Sequence, residues 1–181
     1  MEAKITTTPK KKALILDTSA FITGFDPFSV SEEQFSVPMV KEELIFQSMP
    51  GMRFKAAVES GKLKVIMPSP RFLNSVKESS KTAGDILYLS EADLQVLALA
   101  LELKHMGYSP TVVTDDYSIQ NVANQIGVKF APLITFGIRY QLEWTLYCPA
   151  CHKRYASDYK FKTCEICGTE LKRKPLSKKA V

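Results

Sequence analysis

Along the first 140 residues, short apolar runs alternate with longer stretches of helical periodicity, and that alternation is the first thing the chain discloses. Ala13-Leu14-Ile15-Leu16 is continuous and apolar, entered from three lysines and left at Asp17-Thr18-Ser19, which predicts a strand buried on both faces. Residues 62–67, after Gly61 and before Pro68, and residues 111–114, after Pro110 and before Asp115, repeat the pattern, and residues 128–133 supply a fourth candidate. Between them a 3.6-residue spacing of apolar positions predicts helices over 38–49, 52–60, 69–82, 90–106 and 117–126. Strands alternating with helices imply an α/β fold, a parallel sheet covered by helices, whose ligands gather beyond the carboxyl ends of the strands. The stretch 24–41 resists this reading; Gly24-Phe25-Asp26-Pro27-Phe28 is a turn that could be a lid or a packed loop.

The pattern changes near residue 140. All four cysteines lie beyond it, as Cys148-Pro-Ala-Cys151 and Cys164-Glu-Ile-Cys167-Gly168 with twelve residues between the pairs. Two residues within a pair let two thiolates of one tight turn reach the same ion, and two such turns complete a tetrahedron, so these four are expected to hold a structural zinc. Iron in the same cage and a pair of disulfides are the competing chemistries; with neither signal peptide nor long apolar span, a reducing, cytoplasmic setting without membrane attachment is expected. His152 adjoins a knuckle whose four thiolates already fill the shell.

Charge follows the same division. Residues 144–181 hold nine Lys or Arg against three Asp or Glu, so the excess of the +5 chain sits on the ribbon and its tail. Tyr147, Tyr155, Tyr159 and Phe161 interleave with Lys153, Arg154, Lys160 and Lys162, and Lys172, Arg173 and Lys174 follow; aromatics among cations suit stacking on bases while neutralising phosphates, though the same aromatics could pack the ribbon's own small core. The expected organisation is residues 1–140 as one α/β domain with a flexible first nine residues, 141–172 as a zinc ribbon, and 173–181 as a disordered basic tail.

Acidic residues fall where an α/β site belongs. Asp17 follows the first strand and Asp115-Asp116 the third. Asp93 closes a capping box with Ser90 and stacks with Val96, Leu97 and Ala100 on the inward side of its helix. On the helix before residue 49, Glu43 lies about 60° from Val40 and Glu42 about 160° away, which puts Glu43 at the border of the buried face. Each acid could be only a cap; converging without cations they would repel, so an inward ring implies a divalent ion, Mg²⁺ or Mn²⁺, which prefers carboxylate oxygen and activates water for attack on phosphorus. Neither His105, at a helix end, nor His152 offers the paired acid and base that attack by an RNA 2′-hydroxyl wants.

In order and spacing, Leu14-Ile15-Leu16-Asp17-Thr18-Ser19, Val37-Pro38-Met39-Val40-Lys41-Glu42-Glu43-Leu44, Leu89-Ser90-Glu91-Ala92-Asp93 and Val113-Thr114-Asp115-Asp116 resemble the PIN nuclease domain. With the terminal ribbon and Tyr117-Ser118-Ile119-Gln120-Asn121-Val122-Ala123, the chain is similar to the Nob-type ribonucleases in their short, archaeal form. That resemblance implies catalytic, ion-holding acids at Asp17, Glu43, Asp93 and Asp116, with Asp115 as the neighbouring alternative, and Thr18, Ser19, Thr114 and Ser118 supporting them. Asn121 is either a polar site contact or a helix-surface residue. It further implies a metal-dependent endoribonuclease maturing the 3′ end of precursor small-subunit rRNA within the pre-small ribosomal subunit, with a KH-domain assembly factor as a partner. Three other readings stay open: a PIN-type toxin acting on other RNA, a non-catalytic RNA-binding assembly factor, and a zinc-ribbon subunit of the transcription machinery.

Overall fold

A computed structural model describes residues 10–83, 89–134 and 140–180, so the expected flexible start lies outside the described residues. Five strands form one parallel sheet in the order β3-β2-β1-β4-β5: β1 Lys12–Leu16, β2 Glu33–Ser36, β3 Leu63–Val65, β4 Ser109–Val113 and β5 Lys129–Ala131. The helices are α1 Thr18–Ile22, α2 Pro38–Glu43, α3 Met49–Glu59, α4 Pro70–Ala83, α5 Glu91–His105 and α6 Tyr117–Gln125. The α/β architecture read from the sequence is thereby found.

Helix α5 is the axis of the core. Its Leu- and Ala-rich sequence suits a helix, Ser90 and Asp93 close the capping box at its start, and residues 94–100 are buried without interruption. A helix buried all round needs neighbours on every side, and α5 packs against β1, β4, α2, α4 and α6. Ile15, Leu16, Val96, Leu97, Leu99 and Val112 are all at most 1% exposed, each such side chain stabilising the fold by roughly 1.5–3 kcal/mol.

Two elements depart from expectation. β2 is a strand where the periodicity showed none, because three of its four side chains are polar: two of them, Gln34 and Ser36, are buried and donate to the carbonyls of Pro27 and Leu16 at 2.7 and 2.8 Å. The turn before it is a packed loop, with Asp26 capping a 3-10 turn over Pro27–Ser29 and Pro27 buried. The helix expected over 38–49 ends at Glu43, where Leu44 turns extended to stay in the core and Ser48 starts α3 by accepting from the Gly51 amide.

The ribbon is a second, antiparallel sheet of order β7-β6-β8, with β6 Tyr140–Tyr147, β7 Arg154–Tyr155 and β8 Lys172–Ala180. The expected disordered tail is corrected here, since β8 pairs with β6 along its length. The register shifts where Pro175 sits opposite Trp144, and Leu176 is left exposed; an edge strand with a bulge is where a residue without an amide proton can be placed. Its cations also find ring faces on β6: the Arg173 guanidinium lies 3.6 Å from the Trp144 ring centre, and Lys174 Nζ 4.9 Å from that of Tyr147.

Candidate active site and thiolate centre

Because β1 and β4 are parallel neighbours, the residues that follow them meet, and the Asp17 amide donates to the Val113 carbonyl at 3.3 Å. Asp17 is 3% exposed. Its Oδ2 accepts from the hydroxyls of Ser19 at 2.8 Å and Thr114 at 2.9 Å, whereas Oδ1, equally buried, has no hydrogen-bond partner. Burial pushes this carboxyl's pKa above its ordinary value, against the opposing pull of the two hydroxyls and the amides of Thr18 and Ser19.

Glu43, at the carboxyl end of α2, is held from two sides: the Thr18 hydroxyl donates to Oε2 and the Ser90 hydroxyl to Oε1 at 3.3 Å. Glu42, one position earlier, is exposed and makes no such contact among the described residues, in keeping with the helical wheel. The Ser90 hydroxyl also accepts from the Asp93 amide while the Ser90 amide donates to Asp93 Oδ2 at 2.7 Å, so one serine orients both acids. Sequence reasoning saw Ser90 only as a cap; its reach to Glu43 is a contact between residues 47 positions apart. Burial raises the Asp93 pKa to about 6, and the negative charges of Asp17 and Asp116 add to the shift. Those three carboxylates share one neighbourhood.

Asp115 and Asp116 point to different work. Asp115 Oδ1 accepts from the amides of Leu133 and Ile134, both at 3.0 Å, and so holds the chain that leaves β5. Asp116 Oδ1 caps α6 through the Ser118 and Ile119 amides, and its charge is felt by Asp93. Ser19 bonds Asp17 and receives the Asp115 amide, Thr114 bonds Asp17 and receives the Asp116 amide, and Ser118 brings its amide. Asn121 is not a helix-surface residue: it is buried, and its side-chain amide both donates to and accepts from the Leu142 backbone, at 2.8 and 2.9 Å, fastening α6 to the first ribbon strand. His105 packs edge-on against Phe72 at the far end of α5, about 18 Å of helix from Asp93.

No Lys or Arg forms an ion pair with Asp17, Glu43, Asp93 or Asp116 among the described residues. Hard carboxylate oxygens, one of them buried and unpartnered, fit a divalent cation of the Mg²⁺ or Mn²⁺ kind. The acids do not close on one another as the thiols do: among the described residues the group whose ligand atoms all lie within 4.8 Å is Cys148, Cys151, Cys164 and Cys167. Sulfurs of opposite knuckles approach to 3.4 Å for Cys148 and Cys167 and 3.5 Å for Cys151 and Cys164, and none is joined in a disulfide. Four soft donors this close together fit zinc binding. Gly168, at φ +70°, closes the second knuckle by giving its amide to the Cys164 carbonyl.

The aromatics of the ribbon divide. Tyr155 is 7% exposed, gives or accepts a bond with Cys164 Sγ at 3.0 Å and lies 4.5 Å from the Tyr159 ring, so it belongs to the ribbon core rather than to a binding face. Lys153 pairs with Glu165. Lys160, Phe161 and Lys162 are exposed around a groove of about 330 Å³, with Tyr159 at its wall.

With this geometry in view, comparison with known proteins is decisive. Residues 14–103 match the family model described as the PIN domain of ribonuclease. The chain is 39% identical to the endoribonuclease Nob1 of Methanothermobacter thermautotrophicus over 88% of this chain and 91% of that one. The chain belongs to the Nob1 family of PIN-domain endoribonucleases. The Nob1 of Pyrococcus abyssi is 37% identical over 90% of this chain and 93% of its own. Ribonuclease VapC1 of Thermoplasma acidophilum is 36% identical over 88% and 76%. As a Nob1-type PIN protein it is an endoribonuclease, and PIN domains use divalent metal ions. Among the described residues no helix is long and apolar enough to cross a membrane.

Proposed function

We propose that this endoribonuclease cuts one phosphodiester of precursor small-subunit rRNA, at the mature 3′ end, within the pre-small ribosomal subunit in the cytoplasm. The observation that carries the reading is the buried, unpartnered Oδ1 of Asp17, set among Glu43, Asp93 and Asp116 in a chain of the Nob1 family. Those four acids hold Mn²⁺ or Mg²⁺, which supplies charge stabilisation at the phosphoryl oxygens and lowers the pKa of water. Asp17 stays fixed because Ser19 and Thr114 occupy its other oxygen, and Glu43 because Thr18 and Ser90 hold both of its own. Water is the nucleophile: its oxygen bonds to phosphorus, the bond to the 3′ oxygen breaks, and the ends are 3′-hydroxyl and 5′-phosphate. No histidine stands at the acids to assist a 2′-hydroxyl instead.

Zinc in the ribbon holds its fold, and the ribbon binds RNA through Tyr147, Arg154, Lys160, Lys162, Lys172, Arg173 and Lys174, with Phe161 exposed beside them. Carboxylates read no bases, so site selection falls to the ribbon and to a partner that presents the RNA, a KH-domain assembly factor. The relative named VapC1 favours a second reading, a ribonuclease acting on other RNA.

Both readings are separated by one assay: end-labelled RNA spanning the mature 3′ end, beside transfer and messenger RNA, with Mn²⁺, Mg²⁺ or EDTA and with Asp17→Asn. A single metal-dependent cut in the rRNA, lost in Asp17→Asn, is the expected result. Cuts only in the other RNAs would replace the substrate. Tight binding with cleavage unaltered by Asp17→Asn would remove the acids from the chemistry.

A further inference from the structure

All strands of the larger sheet run the same way, so their carboxyl ends form a single edge. Along it lie Val65 ending β3, Asp17 after β1, Asp116 after β4, and after β5 the chain that leads to the ribbon, gripped by Asp115. The acids therefore stand between the ribbon on one side and whatever lines the β3 end on the other. There the chain presents an exposed apolar surface: Ile45 is 75% exposed, Phe46 65% and Met49 66%, with Met52 beside them.

That exposure is built rather than incidental. The Ile45 carbonyl accepts from both the amide and the hydroxyl of Ser48, at 2.9 and 2.6 Å, and Ser48 caps α3. Gly51 passes so close beneath that a Cβ would collide with the Ile45 carbonyl oxygen. The bonds from Ser48 to Ile45 close this turn between α2 and α3, and it leaves the side chains of Ile45 and Phe46 exposed. Under Phe46 opens a cavity of about 340 Å³, lined by Lys41, Leu44, Gly51, Phe54 and Lys55, which is within the roughly 300–1,000 Å³ of ligand sites. Lys55 Nζ lies 5.0 Å from the Phe46 ring centre and 3.6 Å from Glu59, which also lines the cavity, while Lys41 enters none of the ion pairs among the described residues.

We propose that the loop carrying Ile45 and Phe46, with Met49 and Met52, is a stacking platform for unpaired nucleotides of the substrate RNA on the side of the scissile phosphate away from the ribbon. It rests on reading the four acids as the cleavage site. An RNA strand held by the ribbon and crossing the acids continues toward β3, two strand spacings or roughly 10 Å from β1, and meets an exposed ring flanked by lysines. Every base has a face to stack on such a ring, so the platform grips without reading sequence. A second copy of the chain is the other occupant an apolar surface invites.

The test is binding in EGTA-free buffer without Mn²⁺ or Mg²⁺, using single-stranded RNA that carries 2-aminopurine at successive positions, with wild type, Phe46→Ala and Phe46→Trp. Wild type is expected to quench the probe at one or two adjacent positions on one side of the cut. Phe46→Ala is expected to abolish the quenching and weaken binding roughly tenfold, and Phe46→Trp to keep both; the exposed position leaves folding intact, checked by melting temperature and zinc content. Unchanged affinity and no position-specific quenching overturn the proposal, as does a wild-type dimer that Phe46→Ala dissociates while RNA binding stays the same. Asp17→Asn is run alongside: if it cleaves like wild type the acid-site reading fails, while the binding comparison, which requires no cutting, still decides the platform.

Discussion

The acid site and the thiol site both call for a metal ion, yet they stand in opposite relation to folding. Around the acids is a core running from Ala13 to Val128, built on β1, β4 and α5, whose members are apolar side chains and include none of the acids. Around the thiols the buried set is Leu146, Cys148, Tyr155 and Cys164, with Tyr159 and Leu171 partly buried against it. Two of those four, Cys148 and Cys164, belong to the four-thiol cage itself, so the ribbon's core and its candidate zinc site are built from the same residues. The difference teaches that a metal can be the keystone of a fold too small to bury enough apolar surface, or a guest whose absence a larger fold tolerates at the expense of crowded like charges.

Removing zinc is the largest way to press on that contrast. Apparent zinc binding in small thiolate modules is worth about 10–16 kcal/mol, so Cys148→Ser with chelation should unfold β6 to β8 while the five-stranded sheet keeps its melting transition. Hydrogen exchange resolved by segment reads this, and loss of protection throughout the parallel sheet would show the two regions to be one folding unit.

Asp17→Asn is the matching change on the other side. Activity should fall by more than the roughly 10–100-fold that partners of metal ligands carry, with Thr114→Val inside that range, because Thr114 only holds the carboxylate. Stability should hold or rise without added ion, since a buried charge is removed; a large drop in melting temperature for Asp17→Asn would mean that the acid site is a structural keystone too.

The seam between the regions should be softer. Asn121→Ala leaves the Leu142 amide and carbonyl without their partner, at about 1–3 kcal/mol for unsatisfied buried groups. Faster proteolysis between residues 131 and 146, with the zinc retained, is expected; an unchanged cleavage rate would mean the ribbon is anchored elsewhere, as through Ser157 and the Lys81 carbonyl.

The smallest effect is on pH. Folding raises the Asp93 pKa from 3.8 to about 6, so between those values the folded chain holds a proton that the unfolded chain has released. Stability contributed by this group is therefore full below about pH 4 and is lost as pH rises through about 6. Urea midpoints of wild type minus Asp93→Asn, which cancels the ribbon's own titration, should decline over that window without Mn²⁺ and flatten with it. A difference that rises with pH would show Asp93 to be stabilised as an anion by the protein alone.

What the residues alone determined is what local chemistry and periodicity can carry. The two-residue spacing within each cysteine pair forces thiolates together whatever surrounds them, and the apolar runs of β1 and β4 with the caps at Asp17, Ser90 and Asp116 made both the α/β order and the acids legible. Tertiary structure decided the rest, for one recurring reason: a polar group's meaning depends on a partner distant in sequence. Gln34 and Ser36 make a buried strand only because Pro27 and Leu16 offer carbonyls. Asn121 is a seam only because Leu142 arrives beside it, and Asp115 separates from Asp116 only because residues 133 and 134 do. The basic tail becomes a strand because β6, some thirty residues earlier, has an unpaired edge and ring faces to meet its cations, a pairing that no local pattern encodes.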